Sequence, residues 1–223
     1  MRYAILSDVH RRRKKLETVL ADAEARGADH FVSLGDVGAD DCLALLQAVG
    51  AMAVFGNYEV SGWRRLAPSH RAWVREWPAL LAEDGFLAVH AVPWWPDGLH
   101  TVKDFEEWLK RTGRPWRSLF PYLTEDEDAL WQVLAELENS GKAILFHGHT
   151  HQPAIWTWGT DGRLRKVRAA TVTVKPGHHY SVGVGSVGFP EDGSWATYAL
   201  YDTAGGEIRL VRLKAPGPSF SPA

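Results

Sequence analysis

Histidine is the commonest metal-ligating side chain, and His149 and His151 stand two residues apart in the stretch Phe146-His147-Gly148-His149-Thr150-His151. The apolar lead-in, Ala143 to Phe146, predicts a buried strand that stops at a tight turn and presents imidazoles there. His-x-His alone is weak evidence of a metal, so the rest of the chain must supply partners. It does. Asp8-Val9-His10, Gly35-Asp36, Gly56-Asn57 and His90 each follow directly on a strand-like run. The set holds two carboxylates (Asp8, Asp36), one amide (Asn57) and four imidazoles (His10, His90, His149, His151). That is enough for two divalent ions with one carboxylate shared. No cysteine takes part, so the donors suit Mn²⁺, Fe, Zn²⁺, Ni²⁺ or Mg²⁺ rather than a thiolate-preferring ion.

The elements that must position these groups read off the apolar pattern. Tyr3–Leu6, His30–Leu34 and Ala51–Phe55 are predicted strands. Between them, Leu16, Val19, Leu20 and Ala23 form one helical stripe ended by Gly27, and Asp41–Val49 is a second helix with Leu43, Leu46 and Gln47 inward. The first third is therefore β-α-β-α-β, the pattern of a mostly parallel sheet, whose strand ends can converge on one edge. Ser69–Trp77 is a predicted helix stopped by Pro78. Asp84-Gly85 joins two strands as a type I′ hairpin, the second ending at His90. From Pro93 to about Ser140 the chain turns helical and aromatic. One helix runs near Val102–Arg111, and another starts at Thr124 with Glu127 completing a capping box and Leu130, Val133, Leu134 and Leu137 inward. After His151 the pattern is β: a hairpin around Asp161-Gly162, then Tyr180–Val184, Trp195–Tyr201 and Glu207–Leu213. The Pro/Ser/Gly-rich stretch 214–223 is expected to be a disordered tail.

Bulk properties narrow the function classes. At 223 residues, 45% hydrophobic and 23% charged, the chain has material for one domain (1–213) carrying an insertion at about 93–140. A net charge of −2 makes no case for nucleic acid or a membrane surface as a partner. Cys42 is alone, which excludes an internal disulfide and a thiolate zinc cluster. No stretch reaches the roughly 20 apolar residues of a membrane span, so a cytoplasmic location is the default expectation. Of the 11 tryptophans, Trp94, Trp95, Trp108, Trp116 and Trp131 fall in the insertion. They are expected to form its own small core, with Trp94-Trp95 as candidates to stack on a base.

In this order the motifs resemble those of the calcineurin-like metallophosphoesterases: D-x-H, G-D, G-N-H-[D/E], a lone H, and G-H-x-H. Here they stand as Asp8-Val9-His10, Gly35-Asp36, Gly56-Asn57-Tyr58-Glu59, His90 and Gly148-His149-Thr150-His151. The run Gly185 to Gly193 is also similar to a G-S-V-G-x-P-x-D-G segment of small bacterial phosphodiesterase-like members. The resemblance implies an α/β sandwich of two packed mixed sheets with helices outside, and the Trp-rich helical insertion lies outside it. It implies that Asp8, His10 and His151 hold one metal, that Asn57, His90 and His149 hold a second, and that Asp36 bridges them. Two divalent ions, Mn²⁺ first among them, would then activate a bridging hydroxide for attack on a small phosphorylated substrate, a nucleotide included. Glu59 would orient a ligating histidine.

Two departures bear on the substrate. Tyr58 stands where the family has a histidine taken to protonate the leaving group. A phenol can still donate, but this replacement favours diesters or polyphosphates over protein phosphomonoesters. After His10 the family's phosphate-contacting G-N is replaced by Arg11-Arg12, within five consecutive cations at a helix N-terminus. Arg12 is the candidate phosphate ligand and the others a solvated face. The expected function is therefore metal-dependent phosphodiester or nucleotide/dinucleoside-polyphosphate hydrolysis. The alternatives are a phosphomonoesterase and a catalytically silent binding module on the same fold.

Overall fold

A computed structural model describes residues 1–123 and 127–215. The predicted cap at Thr124 and the tail from 216 onward lie outside them. Two six-stranded mixed sheets pack face to face with helices on their outer faces. Three parallel neighbours, β1 (Arg2–Leu6), β2 (His30–Ser33) and β3 (Met52–Ala53), sit at one end of the first sheet. The second sheet contains β4 (Leu80–Glu83), antiparallel to β5 (Phe86–Val89), and β6 (Ile144–His147), parallel to β5. The first third thus forms the parallel run that its β-α-β-α-β pattern predicts, and the whole fold is two sheets, as the resemblance implies.

The strands are continuous apolar runs because both faces are covered. Along β1, Tyr3 and Ile5 point into the space between the sheets, where they meet Phe86, Ile144, Phe146 and Tyr180. Ala4 and Leu6 point the other way, onto α1 (Arg13–Ala25) and α2 (Asp40–Ala48). The buried stripe of α1 is Leu16, Val19, Leu20 and Ala23, as the periodicity predicts. On α2 the inward residues are Cys42, Leu43 and Leu46, while Gln47 is exposed: the free thiol behaves as a small hydrophobe and takes the buried position. The Asp84-Gly85 hairpin forms, but its turn is not the expected type I′: that type needs φ > 0 at both central residues, and only Gly85, at φ +88°, has it. A short strand, Thr171–Thr173, was not anticipated; it completes the edge of the first sheet beside Glu207–Leu213.

The insertion does not keep a core of its own. Leu130, Val133 and Leu137 of the helix Glu127–Ser140 cover Leu87, Val89 and Leu145 on the outer face of the second sheet. Trp108, Phe105, Phe120 and the half-buried Trp95 join the main cluster with Leu16 and Leu43. The physical reason is that β5 and β6 carry apolar side chains on both faces, and this helix helps remove the outward set from water. Each large side chain so buried contributes about 1.5–3 kcal/mol. Trp95 packs edge-on against Phe55 and Phe120, at 5.2 and 5.5 Å, rather than standing free to stack on a base. No helix among the described residues is long and apolar enough to cross a membrane.

Register brings the predicted site residues together. Leu6 pairs with Ser33 and Ser33 with Ala53, so β1, β2 and β3 end level. Val89 pairs with His147 in the other sheet. The loops after these five strands leave from one edge of the sandwich.

Candidate metal centre

Among the described residues, six other than glycine have left-handed backbones: Asp8, His10, Arg11, Asp36, His149 and His151, with φ between +48° and +63°. Five of them are expected ligands. Each such residue costs on the order of 1–3 kcal/mol unless its surroundings enforce it. Enforcement here comes from loop-to-loop hydrogen bonds. Asp8, His10 and Arg11 donate their backbone N–H groups to the carbonyls of Gly35, Asp36 and Val37. Gly148 donates to the His90 carbonyl. Close approach then dictates the glycines. A Cβ on Gly148 would lie 1.9 Å from Ser7 Oγ, and one on Gly56 would lie 2.2 Å from Asp36 Oδ1.

The sharpest feature is a triangle of polar atoms. Asp8 Oδ1 lies 3.1 Å from His151 Nε2 and 3.5 Å from His10 Nε2, and the two ring nitrogens are 3.1 Å apart. Asp8 is fully buried, and its Oδ1 accepts no hydrogen bond of normal geometry. A point equidistant from the three atoms lies about 1.9 Å from each, close to the roughly 2.0–2.2 Å of zinc bonds to nitrogen and carboxylate oxygen. Asp8, Asp36 and His90 form a second group with ligand atoms within 4.8 Å of one another. Asp36 reaches toward both groups, with Oδ2 at 3.9 Å from His10 Nε2 and Oδ1 at 3.6 Å from His90 Nε2.

Three imidazoles spend one N–H on a backbone carbonyl. His90 Nδ1 faces the Leu34 carbonyl at 2.7 Å, His149 Nε2 the Phe120 carbonyl at 2.9 Å, and His151 Nδ1 the Phe189 carbonyl at 2.9 Å. Such a bond sets the tautomer and leaves the opposite nitrogen with a free lone pair. His90 Nε2 then faces Asn57 Oδ1 at 3.1 Å, lone pair to lone pair, and a cation between them removes the conflict. The buried His10 Nδ1 has no hydrogen-bond partner. The donor set fits a divalent metal. His149 lies outside the two tight groups, with its ring centroid 5.0 Å from that of His90.

Charge is arranged to match. Burial pushes Asp8 up, but the His10 and His151 imidazoles beside Oδ1 outweigh it and hold its carboxyl well below the ordinary range. Burial, then the charges of Glu59 and Asp8, push Asp36 well above it. Burial lowers His90, and lowers His149 to about 4, so both are neutral and able to ligate near neutrality. Burial acts against His151, yet its bond to Asp8 raises it. Asp36 and His151 must both be free of protons to bind a cation, so metal and protons compete. Uptake of Mn²⁺ is expected to release protons, and apparent affinity to weaken by about tenfold per pH unit for each proton released as pH falls. Calorimetric titrations in two buffers of different ionisation heat measure this; uptake without proton release would contradict the ligand assignment.

Some roles escaped the sequence. Glu59 does not orient a histidine. Its buried carboxylate accepts three backbone N–H groups, from Asp36 (2.8 Å), Val37 (2.9 Å) and Gly56 (2.8 Å), tying the loop after β2 to the loop after β3. The buried Ser186 hydroxyl bonds the Asp8 carbonyl and the Phe189 N–H, each at 2.8 Å, so the 185–193 segment clamps the first ligand loop and positions the carbonyl that holds His151. Tyr122 stacks on His149 at 4.5 Å. Its sequence signal is only its place in an aromatic-rich insertion. His147 is a core residue, buried and lowered to about 4 by that burial. Tyr58 packs edge-on against His10 at 4.6 Å and is 39% exposed. The Arg12 guanidinium lies over the Phe189 ring at 4.5 Å, beside His10. Lys15 was expected on a solvated face; instead it is half-buried and donates to the Gly188 carbonyl at 2.8 Å.

Residues 1–206 match the calcineurin-like phosphoesterase superfamily domain. An uncharacterized protein of Methanocaldococcus jannaschii is 26% identical over 226 residues, covering 95% of this chain and 86% of that one. The fold is similar to that of a metallophosphoesterase from Sphaerobacter thermophilus, with a TM-score of 0.71 at 20% identity over 96% of this chain and 89% of that one.

Proposed function

The chain belongs to the calcineurin-like phosphoesterase superfamily, and from that premise we propose that it hydrolyses phosphodiesters or phosphoanhydrides with two divalent metal ions, Mn²⁺ foremost. The observation that carries this reading is the convergence of oriented imidazole nitrogens on the buried Asp8 carboxylate. Asp8, His10 and His151 would hold one ion, and Asn57, His90 and His149 the other. Asp36, which faces both groups, would be shared. When bound, such ions lower the pKa of water and neutralise charge on phosphoryl oxygens.

The chain's own residues do the rest. Arg12, with its guanidinium carbon 4.5 Å from the centre of the Phe189 ring, would offer N–H donors to phosphoryl oxygens at the site's rim. Tyr58, braced on His10, supplies a phenol O–H to the departing oxygen. In the overall step water's oxygen bonds to phosphorus, the bond from phosphorus to the leaving oxygen breaks, and that oxygen takes up a proton. Phenols are weaker acids than imidazolium ions, which suits leaving groups that depart with little protonation. With Mn²⁺ present, bis-aryl phosphate should be cleaved faster than aryl phosphate monoester, and a chelator should abolish both. A protein that takes up no divalent metal and cleaves neither ester would overturn the reading.

A further inference from the structure

A groove of about 580 Å³ opens beside the centre and plays no part in holding metal. Its walls include Arg11, Asp40, Tyr58, Ser61, Trp63 and Arg65. Two of these are chain neighbours of expected ligands: Arg11 follows His10, and Tyr58 follows Asn57. A group in the groove therefore lies within reach of a phosphoryl at the centre.

The groove's charge is uneven. Arg11 is exposed, is fixed in a left-handed backbone at φ +63°, and donates through Nε to the Gly38 carbonyl at 3.1 Å. Its terminal nitrogens are left to face the groove. Arg65 is exposed and forms no ion pair among the described residues. The groove's half-buried Asp40 is engaged through Oδ1 by His70 Nδ1 at 2.6 Å and the Ala67 N–H at 2.9 Å. Glu59, the other acid there, is buried and hydrogen-bonded to three backbone groups. The lining thus brings two guanidinium groups to one concave site, and the planar fork of each matches phosphate oxygens in pairs. Arg64, next in the chain, is different: it is paired with Glu106 at 2.7 Å.

We propose that this groove is a subsite for a second phosphoryl group, so that the substrate carries one phosphoryl at the metal centre and another, held by Arg11 and Arg65, on its far side. The substrate class is a nucleoside diphosphate or a related organic polyphosphate, in which the bond cleaved joins two phosphoryl groups. The inference rests on the proposed phosphoester hydrolysis.

The test compares nucleoside diphosphate with bis-aryl phosphate, which lacks a second phosphoryl. The parent protein should favour the diphosphate in kcat/KM by at least about tenfold, and Arg65→Gln should lower that preference about tenfold, mainly through KM. Arg64→Gln should leave the preference unchanged. A parent without the preference, or an Arg65→Gln variant that retains it, overturns the subsite. A second arm is independent of turnover: inorganic tripolyphosphate is titrated into metal-free protein. The double variant Arg11→Gln/Arg65→Gln should bind at least about tenfold more weakly than the parent. Equal binding, or none to the parent, overturns the subsite even if bis-aryl phosphate is hydrolysed. Loss of all hydrolysis with tripolyphosphate binding intact would instead count against the catalytic reading.

Discussion

Asp36→Asn is expected to lower turnover by at least about 10³-fold, because a shared carboxylate is worth several kcal/mol of charge stabilisation at the reacting phosphoryl and each 1.4 kcal/mol is tenfold in rate. The same substitution should not weaken the metal-free fold. Asp36 is buried between two other carboxylates, Glu59 and Asp8, and those charges together with burial push its carboxyl well above the ordinary range. An amide of the same shape removes that repulsion. It also keeps an oxygen to accept the Tyr58 N–H, now 2.8 Å from Oδ1. In chelator the variant should therefore melt at or above the parent's temperature, and added Mn²⁺ should raise its melting point far less. Undiminished turnover would remove Asp36 from the shared position. A clear drop in metal-free melting temperature would show that the carboxylate stabilises the fold rather than straining it.

Glu59→Ala should have the opposite signature, a large loss of stability with a secondary loss of metal affinity. Truncation leaves three buried backbone N–H groups without acceptors, on two loops that carry Asp36 and Asn57. Each unsatisfied donor costs about 1–3 kcal/mol. Relief of the repulsion between Glu59 and Asp36 offsets part of this, so a net loss of about 3–5 kcal/mol is expected. Urea unfolding in chelator reads it directly. Metal affinity should fall about 10–100-fold, as for other groups that orient ligands. Glu59→Gln retains an oxygen acceptor but turns an NH₂ toward a backbone N–H, and should fall between parent and alanine. A stability change within about 0.5 kcal/mol for the alanine variant would mean that the loops hold without this staple.

Much of the centre was legible in the chain because it follows from local rules. Apolar runs ending in Gly-Asp, Gly-Asn and Gly-His mark strand ends, and donor types at strand ends mark chemistry. That logic reached Asp8, His10, Asp36, Asn57, His90, His149 and His151, and the structure gathers them at one edge. Other contributions depend on contacts between residues far apart in sequence, which no spacing encodes. Glu59 reads as a helper of histidine until the fold shows it bonded to backbone N–H groups 22 and 23 residues away. Phe120 and Phe189 act through their carbonyls, which every residue possesses, so their side chains carry no sign of the role. The tryptophans announced buried area but not its location. Only the exposed outer face of β5 and β6 decided that the insertion would cover the sheet instead of standing apart. The sequence by itself determined which donors exist and which strand ends carry them, since both are properties of short segments. The tertiary structure decided which nitrogen of the His90, His149 and His151 rings is free and that Arg11 and Arg65 form no ion pair among the described residues. Those outcomes depend on what the folded chain brings within hydrogen-bonding distance.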